Sequence, residues 1–86
     1  MLGVANQGTV AKYGVMKPNA RLKLAKRIKL LRTRKGLTQA QLAELVGIDY
    51  KYLQKMEGKN PPAVRIDTIE KLAKVFKISC SKLLDF

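Results

Sequence analysis

Residues Gln39–Gly58, QAQLAELVGIDYKYLQKMEG, decide how the rest of the chain is read. Leu42, Ala43 and Val46 recur three and four positions apart, which places them on one stripe of a helix. Gly47 interrupts the pattern where a helix end needs a residue comfortable at positive φ. Ile48 returns toward the core, Asp49 has the short carboxylate of an N-cap, and Leu53 and Met56 form a second stripe. The stretch predicts two short helices joined by a tight turn. Ala43 is small enough to let the second of them cross the first closely.

The flanking sequence continues in helical periods. Thr38–Gln41 reads T-x-x-Q, a capping box that starts one helix at Gln39 and lets it run to Val46; the next runs from Tyr50 to about Glu57. Upstream, Asn19 is an N-cap candidate for a first helix extending to about Lys35, with Leu24, Ala25, Ile28 and Leu31 facing inward. Lys23, Lys26, Arg27, Lys29 and Arg34 fall outside that stripe. No acid lies in this helix to relieve their repulsion, so packing must hold it and bound phosphates would help. Gly36 ends it, and the basic last turn suits the negative helix end. Downstream, Gly58-Lys-Asn-Pro-Pro62 is a turn no helix survives. Asp67–Glu70 repeats the capping logic as D-x-x-E for a fourth helix with Ile69, Leu72, Ala73 and Phe76 inward. Ser79 caps a short fifth turn that tucks Leu83 and Leu84 underneath.

Five helices and no obligatory strand follow from these spacings. The 86 residues allow one domain with a modest core, burying about 60% of the unfolded surface. Residues 1–18 carry glycines at 3, 8 and 14 without a helical period. They read as a flexible basic arm bearing Lys12 and Lys17. A strand over Thr9–Met16 that pairs between protomers is the alternative. Gly3–Thr9 has the glycine spacing of a phosphate loop but lacks its lysine and any preceding strand, and is set aside.

Charge narrows the function. Eighteen Lys and Arg stand against 6 Asp and Glu, a net +12, and residues 1–35 contribute ten basic residues and no acid. A field of one sign suits a polyanion, nucleic acid before an anionic membrane. The chain has one cysteine, Cys80, and no histidine, which leaves neither an internal disulfide nor a zinc set. Cys80 has no base to activate it and the acids are scattered, so neither catalysis, metal nor cofactor is expected. No secretory signal and no apolar run of about 20 residues is present. A cytoplasmic protein, nucleoid-associated when bound, is the expectation.

The third helix carries the chemistry. At about 100° per residue, Lys51 and Lys55 lie opposite Leu53 and Met56, with Tyr50 and Gln54 on one flank and Tyr52 on the other. Long, cationic, hydrogen-bonding side chains on a protruding helix suit readout of the major groove. Lysines can donate to guanine, Gln54 to adenine, and tyrosine rings can meet thymine methyls or a phosphate. An ordinary solvated helix face is the alternative for an isolated helix of this composition.

From about Leu24 to Leu84 the chain resembles the phage-repressor and Cro (Xre-like) family of helix-turn-helix DNA-binding proteins. The resemblance implies a compact, all-α, five-helix, lambda-repressor-like domain over residues 19–86, behind the flexible arm. It implies a transcriptional regulator binding double-stranded DNA, with base contacts from Tyr50, Lys51, Gln54 and Lys55. Gln39 matches a glutamine that touches the DNA backbone in relatives. Arg32 and Glu57 match an arginine and a glutamate paired beneath the recognition helix, with Arg32 also available to a phosphate. Lys59 and Asn60 stand where relatives contact phosphate; Arg27 and Tyr52 complete the expected backbone set. Two departures stand out: a loop after Glu57 about one residue shorter than in many relatives, and Lys77 where relatives have glycine.

Relatives bind two-fold sites as dimers, which implies a homodimer, formed in solution or only on DNA, using the arm, the fifth helix or the surface near Leu84 and Phe86. Two rivals remain open at this level. One is an antitoxin or accessory subunit whose main partner is a cognate toxin. The other is a cationic membrane-surface protein led by the first helix, which would need no such turn.

Overall fold

The computed structural model describes residues 18–86, and the expected arm with its Thr9–Met16 alternative lies outside them. Five helices follow in order: α1 (Pro18–Arg34), α2 (Gln39–Val46), α3 (Tyr50–Met56), α4 (Ile66–Phe76) and α5 (Cys80–Leu83). No strand occurs among the described residues.

Local chemistry sets the boundaries. Thr38 caps α2 as half of a complete capping box: its hydroxyl accepts from the Gln41 N–H at 3.1 Å, and its own N–H donates to Gln41 Oε1 at 2.9 Å. Gly47 closes α2 in the left-handed region at φ 82°, with its N–H on the Ala43 carbonyl at 2.8 Å. Asp49 caps α3 through a bond from the Lys51 N–H, and Ser79 caps α5 through one from Lys82. Lys77 closes α4 in the left-handed region at φ 57°, where a Cβ is costly.

Two expected caps are corrected. α1 already includes Pro18, so Asn19 is helical and is not its cap; the fixed φ of proline is compatible with a first helical turn. α4 begins at Ile66 after Arg65, which makes no side-chain cap bond, so the D-x-x-E box does not form. Asp67 instead sits in the first turn and takes the Thr68 N–H at 2.9 Å, where a carboxylate also favours the positive helix end.

The core lies where these helices converge. Leu24 and Ile28 of α1, Leu42, Ala43 and Val46 of α2, and Leu53 and Met56 of α3 meet Ile69, Leu72, Ala73 and Phe76 of α4, with Leu83 of α5 and Val64 of the preceding loop. Leu31, Tyr52 and Leu84 are half-buried against it. Burying aliphatic side chains at about 25 cal/mol per Å² is what holds α1 against its own repulsion.

Candidate nucleic-acid interface

α3 turns one face inward and leaves the other to solvent. Leu53 and Met56 are 0% and 1% exposed, whereas Lys51, Gln54 and Lys55 are exposed and Tyr50 is 44% exposed. No later helix covers the two lysines. Gln54 Nε2 donates to the Tyr50 hydroxyl at 3.0 Å, one helical turn back. The two side chains therefore stand as a braced pair beside Lys51 and Lys55. Tyr52 is less available, because its ring packs against the core.

Below the C-terminal end of α3 lies a buried polar hub. Arg32 donates from Nε to Glu57 Oε2 at 2.8 Å and from Nη2 to Oε1 at 2.9 Å, a two-pronged pairing, and from Nη1 to the Leu37 carbonyl at 2.8 Å. Gln39 Nε2 adds a third bond to Glu57, at 3.1 Å to Oε1. The side chains of Arg32 and Glu57 are 11% and 2% exposed, so both charges are held largely out of water. The hub ties the end of α1, the start of α2 and the end of α3 at one point. Arg32 has three of its five N–H groups committed inside it.

The structure brings Gln39, Arg32 and Glu57 together, with Lys59 and Asn60 exposed on the loop that follows. Arg27 is not part of this group. Its Nη2 donates to the Lys82 carbonyl at 3.0 Å, near the C-terminal end of α5, and it lines a cleft with Leu30, Asp85 and Phe86. A DNA-backbone contact by Arg27 would therefore come from a guanidinium that already commits one N–H to α5.

Two features escaped the sequence reading. The i,i+4 spacing of Tyr50 and Gln54 is a signal that could have found their bond. Nothing in the sequence marks the Gln39–Glu57 bond, since 18 positions separate the partners. Among the described residues no cluster of His, Cys, Asp or Glu could hold a metal ion, and no helix is long and apolar enough to cross a membrane.

This architecture, two short helices around a glycine turn with a capped, outward second helix, defines a helix-turn-helix protein. Residues 28–83 match the sequence model of the helix-turn-helix family, and the chain belongs to that family, among the DNA-binding transcription regulators of phage-repressor and Cro (Xre-like) type. The fold is similar to that of the restriction-modification controller protein C.AhdI from Aeromonas hydrophila, with a TM-score of 0.70 and 35% identity over 76% of this chain and 97% of that one. It is similar also to the hypothetical transcription factor NHTF from Neisseria, with a TM-score of 0.70 and 28% identity over 81% of this chain and 80% of that one. A chain of the SinR/SinI protein complex aligns with a TM-score of 0.62 and 35% identity, over 72% of this chain and 60% of that one. No curated protein matches this chain.

Proposed function

We propose that this regulator binds duplex DNA sequence-specifically, with α3 entering the major groove. One observation carries the reading: Lys51 and Lys55 are exposed on the side of α3 opposite the fully buried Leu53, with Gln54 exposed on the flank beside them. Tyr50, Lys51, Gln54 and Lys55 meet base edges. The Gln39 carboxamide, the Tyr52 hydroxyl, Lys59 and Asn60 meet phosphates on either side of the groove and set the register. Arg32 acts from beneath by holding Glu57. Two chains on half-sites about one helical turn apart complete the arrangement.

Selection from a random duplex pool, followed by competition between the winner and a scrambled duplex, tests this. Lys51→Ala should flatten discrimination between the two, whereas Lys59→Ala should weaken both alike. Equal effects of the two substitutions on discrimination would show the roles to be misassigned.

The likeness to a chain of the SinR/SinI complex supports a second reading, in which a protein partner such as a cognate toxin is the main ligand and DNA the lesser one. A stable complex on co-purification from the native host, with no duplex preferred over its scrambled control, would favour it.

A further inference from the structure

The surface beside the polar hub has a charge pattern that the base-reading helix does not use. A cleft of about 380 Å³ opens between α1 and the loop after α3, lined by Leu22, Ala25, Lys26, Lys29, Glu57 and Lys59, with Gly58 at its edge. All three lysines are exposed. The one acid in the cleft is already matched, because Glu57 is 2% exposed and bonded by Arg32 and Gln39. Lys26, Lys29 and Lys59 therefore line the cleft with no unmatched acid among its other lining residues. A neighbouring cleft of about 350 Å³ shares Leu22 and Lys59 and continues to Arg21 and Asn60. The two adjoin at Leu22 and Lys59 as one open groove.

We propose that this groove grips the DNA backbone outside the base-read segment, as a second phosphate track led by Lys26 and Lys29. The inference rests on the DNA reading above and extends its footprint. Three arguments support it. Lys26 and Lys29 stand three residues apart on α1, so they repel one another in the free protein, and a polyanion removes that repulsion. Lysines are mobile point charges, suited to a row of phosphates more than to one rigidly defined small anion. The cleft also reaches Glu57, the residue that holds Gln39, so its phosphates would run on from those at the start of α2.

The test compares two duplexes that share the selected half-site, one with long flanks and one trimmed to the base-read segment. The Lys26→Ala/Lys29→Ala protein should match wild type on the trimmed duplex. On the long duplex its salt slope should be shallower by about two phosphates, so the affinity lost between 50 and 200 mM salt shrinks by about tenfold. Lys71→Ala/Lys74→Ala, which removes the same charge from α4, should behave as wild type. The second track is overturned if the Lys26/Lys29 variant weakens both duplexes equally, if its slope on the long duplex is unchanged, or if the control pair loses as much. Wild type that fails to prefer the selected half-site over a scrambled one would instead overturn the DNA reading itself.

Discussion

Gln39, the first residue of α2, donates from its carboxamide to Glu57, the residue that closes α3, at 3.1 Å. A carboxylate can only accept, so the amide nitrogen must face it and the Gln39 rotamer is defined by the partner's chemistry. One N–H of that amide remains for another acceptor, which the proposed interface assigns to a phosphate. Glu57 thus sets the geometry of two elements at once: it closes α3 and orients the first residue of α2.

Removing Glu57 should be expensive for folding. Glu57→Ala strands the Arg32 guanidinium in a site where it is 11% exposed, and the loss of one partner of a buried pair costs about 3–5 kcal/mol. Arg32→Ala should cost a similar amount for the converse reason. The double replacement Arg32→Met/Glu57→Leu should recover much of the stability, because neither charge is then left alone, yet bind DNA less tightly with Gln39 unoriented. Urea denaturation measures the first two effects. A loss below about 1 kcal/mol for Glu57→Ala would remove the hub from its structural role.

Tyr50→Phe isolates the brace on α3. It deletes the hydroxyl that accepts from Gln54 and leaves the ring, on an exposed helix face where such changes shift stability by within about 0.5 kcal/mol. The freed Gln54 can then sample more rotamers. Base preference at the position it reads should broaden while preferences set by Lys51 persist. Repeating the duplex selection with the variant checks this, and an unchanged preference at every position would mean that the brace does not orient Gln54.

Salt dependence tests the interface as a whole. If about 6–10 phosphates are engaged, affinity should fall by about 10³–10⁵ between 50 and 200 mM salt. A titration of the selected duplex gives the slope directly. A nearly flat response would contradict a DNA interface built on these lysines.

Much of this fold was legible because its signals are local. The Thr38–Gln41 box, Gly47, and the caps at Asp49 and Ser79 each act within four residues, and each appears where the spacing put it. Asp67 misled for a related reason. D-x-x-E fits a cap at Asp67 or an acid in the first turn equally well, and the helix starts at Ile66, two residues before a cap at Asp67 would allow. Arg27 shows the other limit. On α1 it looks like one more outward cation, but its partner is a carbonyl 55 positions away, which no periodicity encodes. The Lys26–Lys29–Lys59 cleft is hidden for the same reason, since it exists only once the loop after α3 is folded against α1.

Two helix ends adopt the same left-handed conformation with opposite residue choices. α2 ends on Gly47 at φ 82°, ψ 36°, and α4 on Lys77 at φ 57°, ψ 42°. A Cβ placed at Gly47 would meet nothing within 4 Å, so Gly47→Ala costs backbone strain without a clash, about 1 kcal/mol after the smaller freedom of alanine in the unfolded chain is set against it. Lys77→Gly relieves the same strain, offset in part by the greater freedom of glycine in the unfolded chain, for a net gain of up to about 1 kcal/mol. For a domain of this size 1 kcal/mol corresponds to about 4–8 °C in Tm, so the two substitutions should move the melting temperature in opposite directions. Neither residue lies on the exposed face of α3, so DNA affinity measured well below the melting temperature should be unchanged in Lys77→Gly apart from the small effect of one lost charge. A Tm that stays level or falls on Lys77→Gly would show that the lysine side chain contributes more at this helix end than its strained backbone costs.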